Sequence, residues 1–104
     1  MNFVEFVTNE FKKLAELFEQ KNEQYGVGDP LANFRTGALM SAGNESYAAM
    51  YEEAKNYCRK HIAHVQNCSI DGRKVDESLR DIAVYAVIML YMHAKDHEKS
   101  DKDD

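Results

Sequence analysis

The stretch DESLRDIAVYAVIMLYM, Asp76 to Met92, decides the fold. It opens polar and turns apolar, and Glu77, Asp81, Val84, Ile88 and Tyr91 share one side of a helical wheel of ~100° per residue. Two carboxylates therefore point the same way as residues that should face a core. From Ile82 to Met92 the stretch is apolar nearly all round, so as a helix it needs cover on more than one side. A membrane span takes ~20 apolar residues, and this run is shorter, with Arg80 and Asp81 directly before it. Self-association, with this helix central to a dimer or tetramer bundle, is the economical way to cover it.

Two further seams lie upstream. Val4, Val7, Phe11, Leu14, Phe18, Lys21 and Tyr25 follow one another in steps of three and four, the stripe of a packed helix, and Lys21 is the only non-apolar member. Tyr47, Met50, Ala54, Tyr57, His61, Val65 and Cys68 make the second, interrupted by His61. Ionisable residues are seldom placed inside unless something there needs them.

These seams predict an all-α chain of three main helices with a short one after the first loop. The first spans about Asn2 to Gln24 and stops at Gly26. Asp29 and Pro30 signal the start of a short helix within Leu31 to Met40. The next runs from about Ser46 to Asn67, and Asp76 caps the last, which ends near Lys95. Residues 1–95 read as a single domain completed by oligomerisation, and 96–104, which hold no apolar residue, as a disordered, solvated acidic tail.

The chain has 104 residues and a net charge of −5, which argues against wrapping a nucleic acid polymer; the only local basic cluster is Arg59, Lys60 and His61. A small anionic ligand is compatible with that cluster. Cys58 and Cys68 do not form a disulfide framework or a zinc motif, and Met1 leads straight into an amphipathic helix rather than a signal peptide. The expectation is a cytoplasmic protein with free thiols and no membrane association.

The candidate site residues follow from the broken seams. Glu77 and Asp81, at i and i+4, repel unless a positive group lies between them, and Mg²⁺ is held by such carboxylates together with substrate phosphates. A helix N-terminus with Arg80 or Lys21 nearby would also neutralise them. Glu52 and Glu53 read as solvent-side charges, although Glu53 shares a face with Tyr57 and Lys60 and could reach a metal. Lys21, before Tyr25, suits a phosphate contact, or else snorkels to water. Asn33, Phe34 and Arg35 offer an amide, an aromatic ring and a guanidinium for a base or phosphate. His61, with Tyr57 before it, either sits satisfied in the core or holds an anion. Asp81 lies beside Tyr85.

The ordered set KNEQYG (Lys21 to Gly26), DPLANFR (Asp29 to Arg35), RKHI (Arg59 to Ile62) and DESLRDIAVYAVI (Asp76 to Ile88) resembles small phage and prophage proteins. These are similar to the MazG-like, all-α nucleotide pyrophosphohydrolases, including the nucleotide-modification-associated domains. The resemblance covers nearly all of the chain except its tail. It implies an oligomeric helical bundle, a homodimer or homotetramer, with a nucleotide bound between helices. In active relatives carboxylates hold Mg²⁺, which activates water to split a nucleoside triphosphate into monophosphate and pyrophosphate. Carried over, Glu77 and Asp81 match catalytic and metal-binding acids, with Glu53 a further metal ligand. Lys21, Tyr25, Asn33, Phe34, Arg35, Tyr57, Lys60, His61 and Tyr85 would contact the nucleotide. The chain departs from the pattern on the preceding helix, where an E-x-x-E pair is usual and Glu52, Glu53, Lys55, Arg59 and Lys60 stand instead. Adjacent carboxylates diverge by about 100° and cannot both face one site. That departure favours nucleotide binding without hydrolysis, as in a phage protein that sequesters a nucleotide signal or serves nucleotide modification.

Overall fold

A computed structural model of the chain describes the backbone of residues 1–25 and 28–102, and the side chains of 1–23 and 28–98. The protein is all-α: α1 (Phe3–Tyr25), α2 (Ala32–Ala42), α3 (Tyr47–Gln66) and α4 (Val75–Lys102). Among the described residues there is no strand, and no helix is long and apolar enough to cross a membrane. The chain divides into two compact units, Met1–Ala32 and Asn33–Asp104.

The first unit is essentially α1. Asn2 caps it: its Oδ1 accepts from the Glu5 amide at 2.8 Å while its Nδ2 donates to Glu5 Oε1 at 3.1 Å. One orphan backbone N–H, that of Glu5, is satisfied this way, and the side-chain bond between Asn2 and Glu5 closes the cap. The seam expected to face a core remains largely open. Val4, Phe11 and Phe18 are exposed, Val7 and Leu14 half-buried, and Lys21 is exposed. Lys21 is therefore no buried charge; a long amphipathic side chain at a seam's end reaches water readily. The expected stop at Gly26 lies outside the described residues.

The second unit holds every buried apolar side chain described: Ala38, Ala49, Met50, Ala54, Cys58 and Met92. Asp29 begins α2 as expected, its Oδ1 accepting from the Leu31 amide at 3.0 Å. The helix runs on to Ala42, past the expected end, and closes where Gly43 takes φ +76° and donates to the Leu39 carbonyl. Only glycine adopts that conformation without a steric cost. Ser46 caps α3 by accepting from the Ala49 amide at 3.1 Å. At the other end His64 Nε2 donates to the Arg73 carbonyl at 2.9 Å, tying α3 to the turn that leads into α4.

α4 differs from the sequence reading at both ends. It starts at Val75 after Lys74 at φ +61°, so Asp76 lies inside the first turn and pairs with Arg80 at 3.1 Å rather than capping. There a carboxylate is stabilised by the helix dipole. It also continues past Lys95 to Lys102, through residues expected to be an unstructured tail. No Pro or Gly interrupts that segment, and Lys95 pairs with Glu98 at 3.2 Å, the kind of local bond that supports a polar helix. α3 and α4 pack along each other, and Tyr47 meets Tyr91 edge-on at 6.3 Å.

Candidate functional site

Three helices of the second unit each bring an aromatic ring to one place. Phe34 of α2 lies 5.4 Å from Tyr57 of α3 and meets Tyr85 of α4 edge-on at 6.5 Å. Tyr85 in turn lies 5.9 Å from the His61 ring. All four are half-buried, while Met50, Ala54, Cys58 and Met92 fill the interior. Aromatic pairs in tilted or edge-on geometry contribute about 0.5–1.5 kcal/mol beyond their buried area, so the rings hold the three helices in register.

Ionisable groups border the rings. His61 Nδ1 lies 3.6 Å from Asp81 Oδ2; the imidazole is largely covered and the carboxylate about half exposed, at 18% and 49%. On the α2 side Glu53 is 7% exposed, a correction to its reading as a solvent-side charge. Its burial is made tolerable by the Tyr57 hydroxyl, which is hydrogen-bonded to it and also lies 3.3 Å from the Asn33 carbonyl oxygen. Gly37 makes room for this arrangement. A Cβ there would stand 2.5 Å from the Tyr57 hydroxyl and 2.6 Å from Glu53 Oε2. Among the described residues no buried side-chain nitrogen or oxygen lacks a partner.

This environment favours neutral forms. Burial raises the Tyr57 hydroxyl above its ordinary pKa, and the charge and hydrogen bond of Glu53 raise it further. Tyr85 is raised by burial, then by Asp81, Cys58 and Tyr57. Cys58 is raised by burial and then by Asp81. Cys58 and Cys68 are both free thiols.

Of the residues singled out from the sequence, Phe34, Glu53, Tyr57, His61, Asp81 and Tyr85 come together. Asn33 joins them through its main-chain oxygen. Arg35 is half-buried next to Phe34 on α2, and Lys60 is exposed next to His61 on α3. Lys21 belongs to the first unit, and the side chain of Tyr25 lies outside the described residues. Glu77 is exposed, whereas Asp81, one turn further along the same side of α4, is half-buried. Glu77 sits in the first turn of α4, where water and the helix dipole both favour a carboxylate. The role of Gly37 was not foreseen.

Mg²⁺ demands near-octahedral oxygen ligands. Here Glu53 is turned to Tyr57, Asp81 to His61, and Glu77 to solvent. Among the described residues no three His, Cys, Asp or Glu side chains gather as a metal ion would require. The donor set does not fit a resident Mg²⁺ within one chain. What the arrangement offers instead is ring faces, a hydrogen-bonding carboxylate and imidazole, and nearby cations. Searches against protein-family models, curated proteins and solved structures found no match to the chain.

Proposed function

We propose that the ring cluster of α2, α3 and α4 binds the base of a nucleotide and retains the nucleotide without cleaving it. The observation that carries this reading is the half-exposure of Phe34, Tyr57, His61 and Tyr85 around a partly exposed Asp81. Aromatic faces stack on any base, at about 1–3 kcal/mol per base where measured by alanine substitution. Asp81 and His61 supply an acceptor and a donor for a base edge, and Lys60 and Arg35 supply charge for phosphate. The sequence resemblance to nucleotide-binding helical proteins supports the same ligand class. Hydrolysis is left out because the acids do not converge.

The chain works as an oligomer in this reading. Leu79, Val87 and Leu90 of α4 are 52%, 58% and 63% exposed, on a helix whose opposite side already packs on α3. On α1, Phe3, Phe6, Phe11 and Phe18 are also exposed; together they present on the order of 500 Å² of apolar surface. That approaches the ~800 Å² per partner of a stable interface.

The test is to incubate the chain with ATP, GTP, CTP and UTP in turn, with Mg²⁺ and separately with EDTA. After heat denaturation the supernatant is assayed for intact nucleotide and pyrophosphate. Binding of at least one nucleotide, recovered intact and with affinity unchanged by EDTA, is the expected result. Release of pyrophosphate above that of an Asp81→Ala variant would establish the hydrolase instead.

A further inference from the structure

Near the end of α4, away from the ring cluster, two histidines stand one turn apart. His93 and His97 are both exposed, with ring centroids 4.1 Å apart and planes inclined by 41°. His97 Nδ1 lies 3.0 Å from the carbonyl oxygen of His93. A carbonyl can only accept, so Nδ1 carries a proton, and in the neutral ring the lone pair then sits on Nε2. Proteins orient ligating imidazoles in just this way, by giving the other ring N–H to a backbone carbonyl or carboxylate.

We infer that His93 and His97 form a two-imidazole chelate for a borderline transition-metal dication such as Ni²⁺, Cu²⁺ or Zn²⁺. Histidines at i and i+4 on one helix are spaced to share one ion. Two nitrogens each ~2.0–2.1 Å from a tetrahedral ion stand about 3.3 Å apart, a separation that neighbouring rings reach by small rotations about their side-chain bonds. Lys95 is engaged elsewhere, with its amino group 5.8 Å from the Tyr91 ring centroid and 3.2 Å from Glu98. Tyr47, the first residue of α3, meets Tyr91, so the two histidines lie where α4 runs out beyond α3 and water can complete the coordination shell. Imidazole selects these metals over Mg²⁺, which prefers oxygen. The site is thus chemically separate from any Mg²⁺ chemistry and does not depend on nucleotide binding.

The test is calorimetric titration of the full chain, free of any affinity tag, with Ni²⁺ and Zn²⁺, repeated in millimolar Mg²⁺. Binding that survives Mg²⁺ is expected. Because metal affinity depends on each ligand, His93→Gln and His97→Gln should each weaken it by about tenfold or more. Both side chains are exposed, so these variants should keep the helical circular dichroism of the parent. The competing thiol and imidazole are Cys68 and His64, whose sulfur and Nε2 lie 3.7 Å apart. Cys68→Ser should leave the affinity unchanged. No Ni²⁺ or Zn²⁺ binding by the parent, or loss with Cys68→Ser but not with His93→Gln, would overturn the assignment.

Discussion

Tyr57 joins a buried carboxylate, the α2 backbone and the ring cluster at one side chain. Its hydroxyl is held neutral by burial and by Glu53, and Tyr85 and Cys58 are raised in the same direction. A group whose folded-state pKa is raised contributes stability that is complete below its unfolded pKa and lost as pH rises beyond it. The unfolded values are about 8.5 for cysteine and about 10 for tyrosine. Thermal stability should therefore be level through neutral pH, begin to fall above about 8.5 and fall further above about 10. Melting curves between pH 7 and 11 should show this, with a shallower decline in Tyr85→Phe. An identical decline in that variant would mean that Tyr85 is not held as described.

The seating of α2 on α3 rests on an equally local arrangement, in which Gly37 lets the Glu53 and Tyr57 side chains approach its backbone. Tyr57→Phe removes a hydroxyl from a buried carboxylate and should cost about 1–3 kcal/mol in urea unfolding. Combined with Glu53→Leu, which removes the acceptor, the loss should be smaller than the sum of the single losses, because both variants break the same hydrogen bond. Additive losses would show that the two side chains do not interact.

The second seam, Tyr47 through Cys68, was legible because its apolar steps match residues that are buried or half-buried. Glu53 was legible only in part: its shared face with Tyr57 was read, but its burial was not, because an adjacent pair of acids reads as a solvated face. The signal available was that Ala49, Glu53 and Tyr57 repeat at i+4, which puts the carboxylate on the stripe that meets α2. The wheel that grouped Glu77 with Asp81 described direction only. It could not show that Asp76 and Glu77 are exposed while Val75 and Ser78 beside them are covered. The helical continuation beyond Lys95 was missed because charge alone was read as disorder, although nothing in that segment forbids a helix.

For the whole molecule, the sequence made the helical class clear, but which surfaces meet another copy depends on exposure that periodicity does not encode. The exposed Leu90 on α4 gives the proposed self-association a direct handle. Light scattering on size-exclusion fractions should show an oligomer for the parent and a smaller species for Leu90→Glu. A parent that is monomeric at all concentrations would remove the oligomer from the account. The central claim, however, is that Phe34, Tyr57, His61 and Tyr85 form a site for a base. It is tested most directly by following the aromatic ring signals of the ¹³C-labelled chain by NMR during titration with ATP, GTP, CTP and UTP in EDTA. The account predicts that at least one nucleotide shifts the signals of Phe34, Tyr57 and Tyr85 in a saturable way, and that Tyr85→Ala abolishes the response at Phe34 and Tyr57. Ring signals that stay unmoved by all four nucleotides would contradict it.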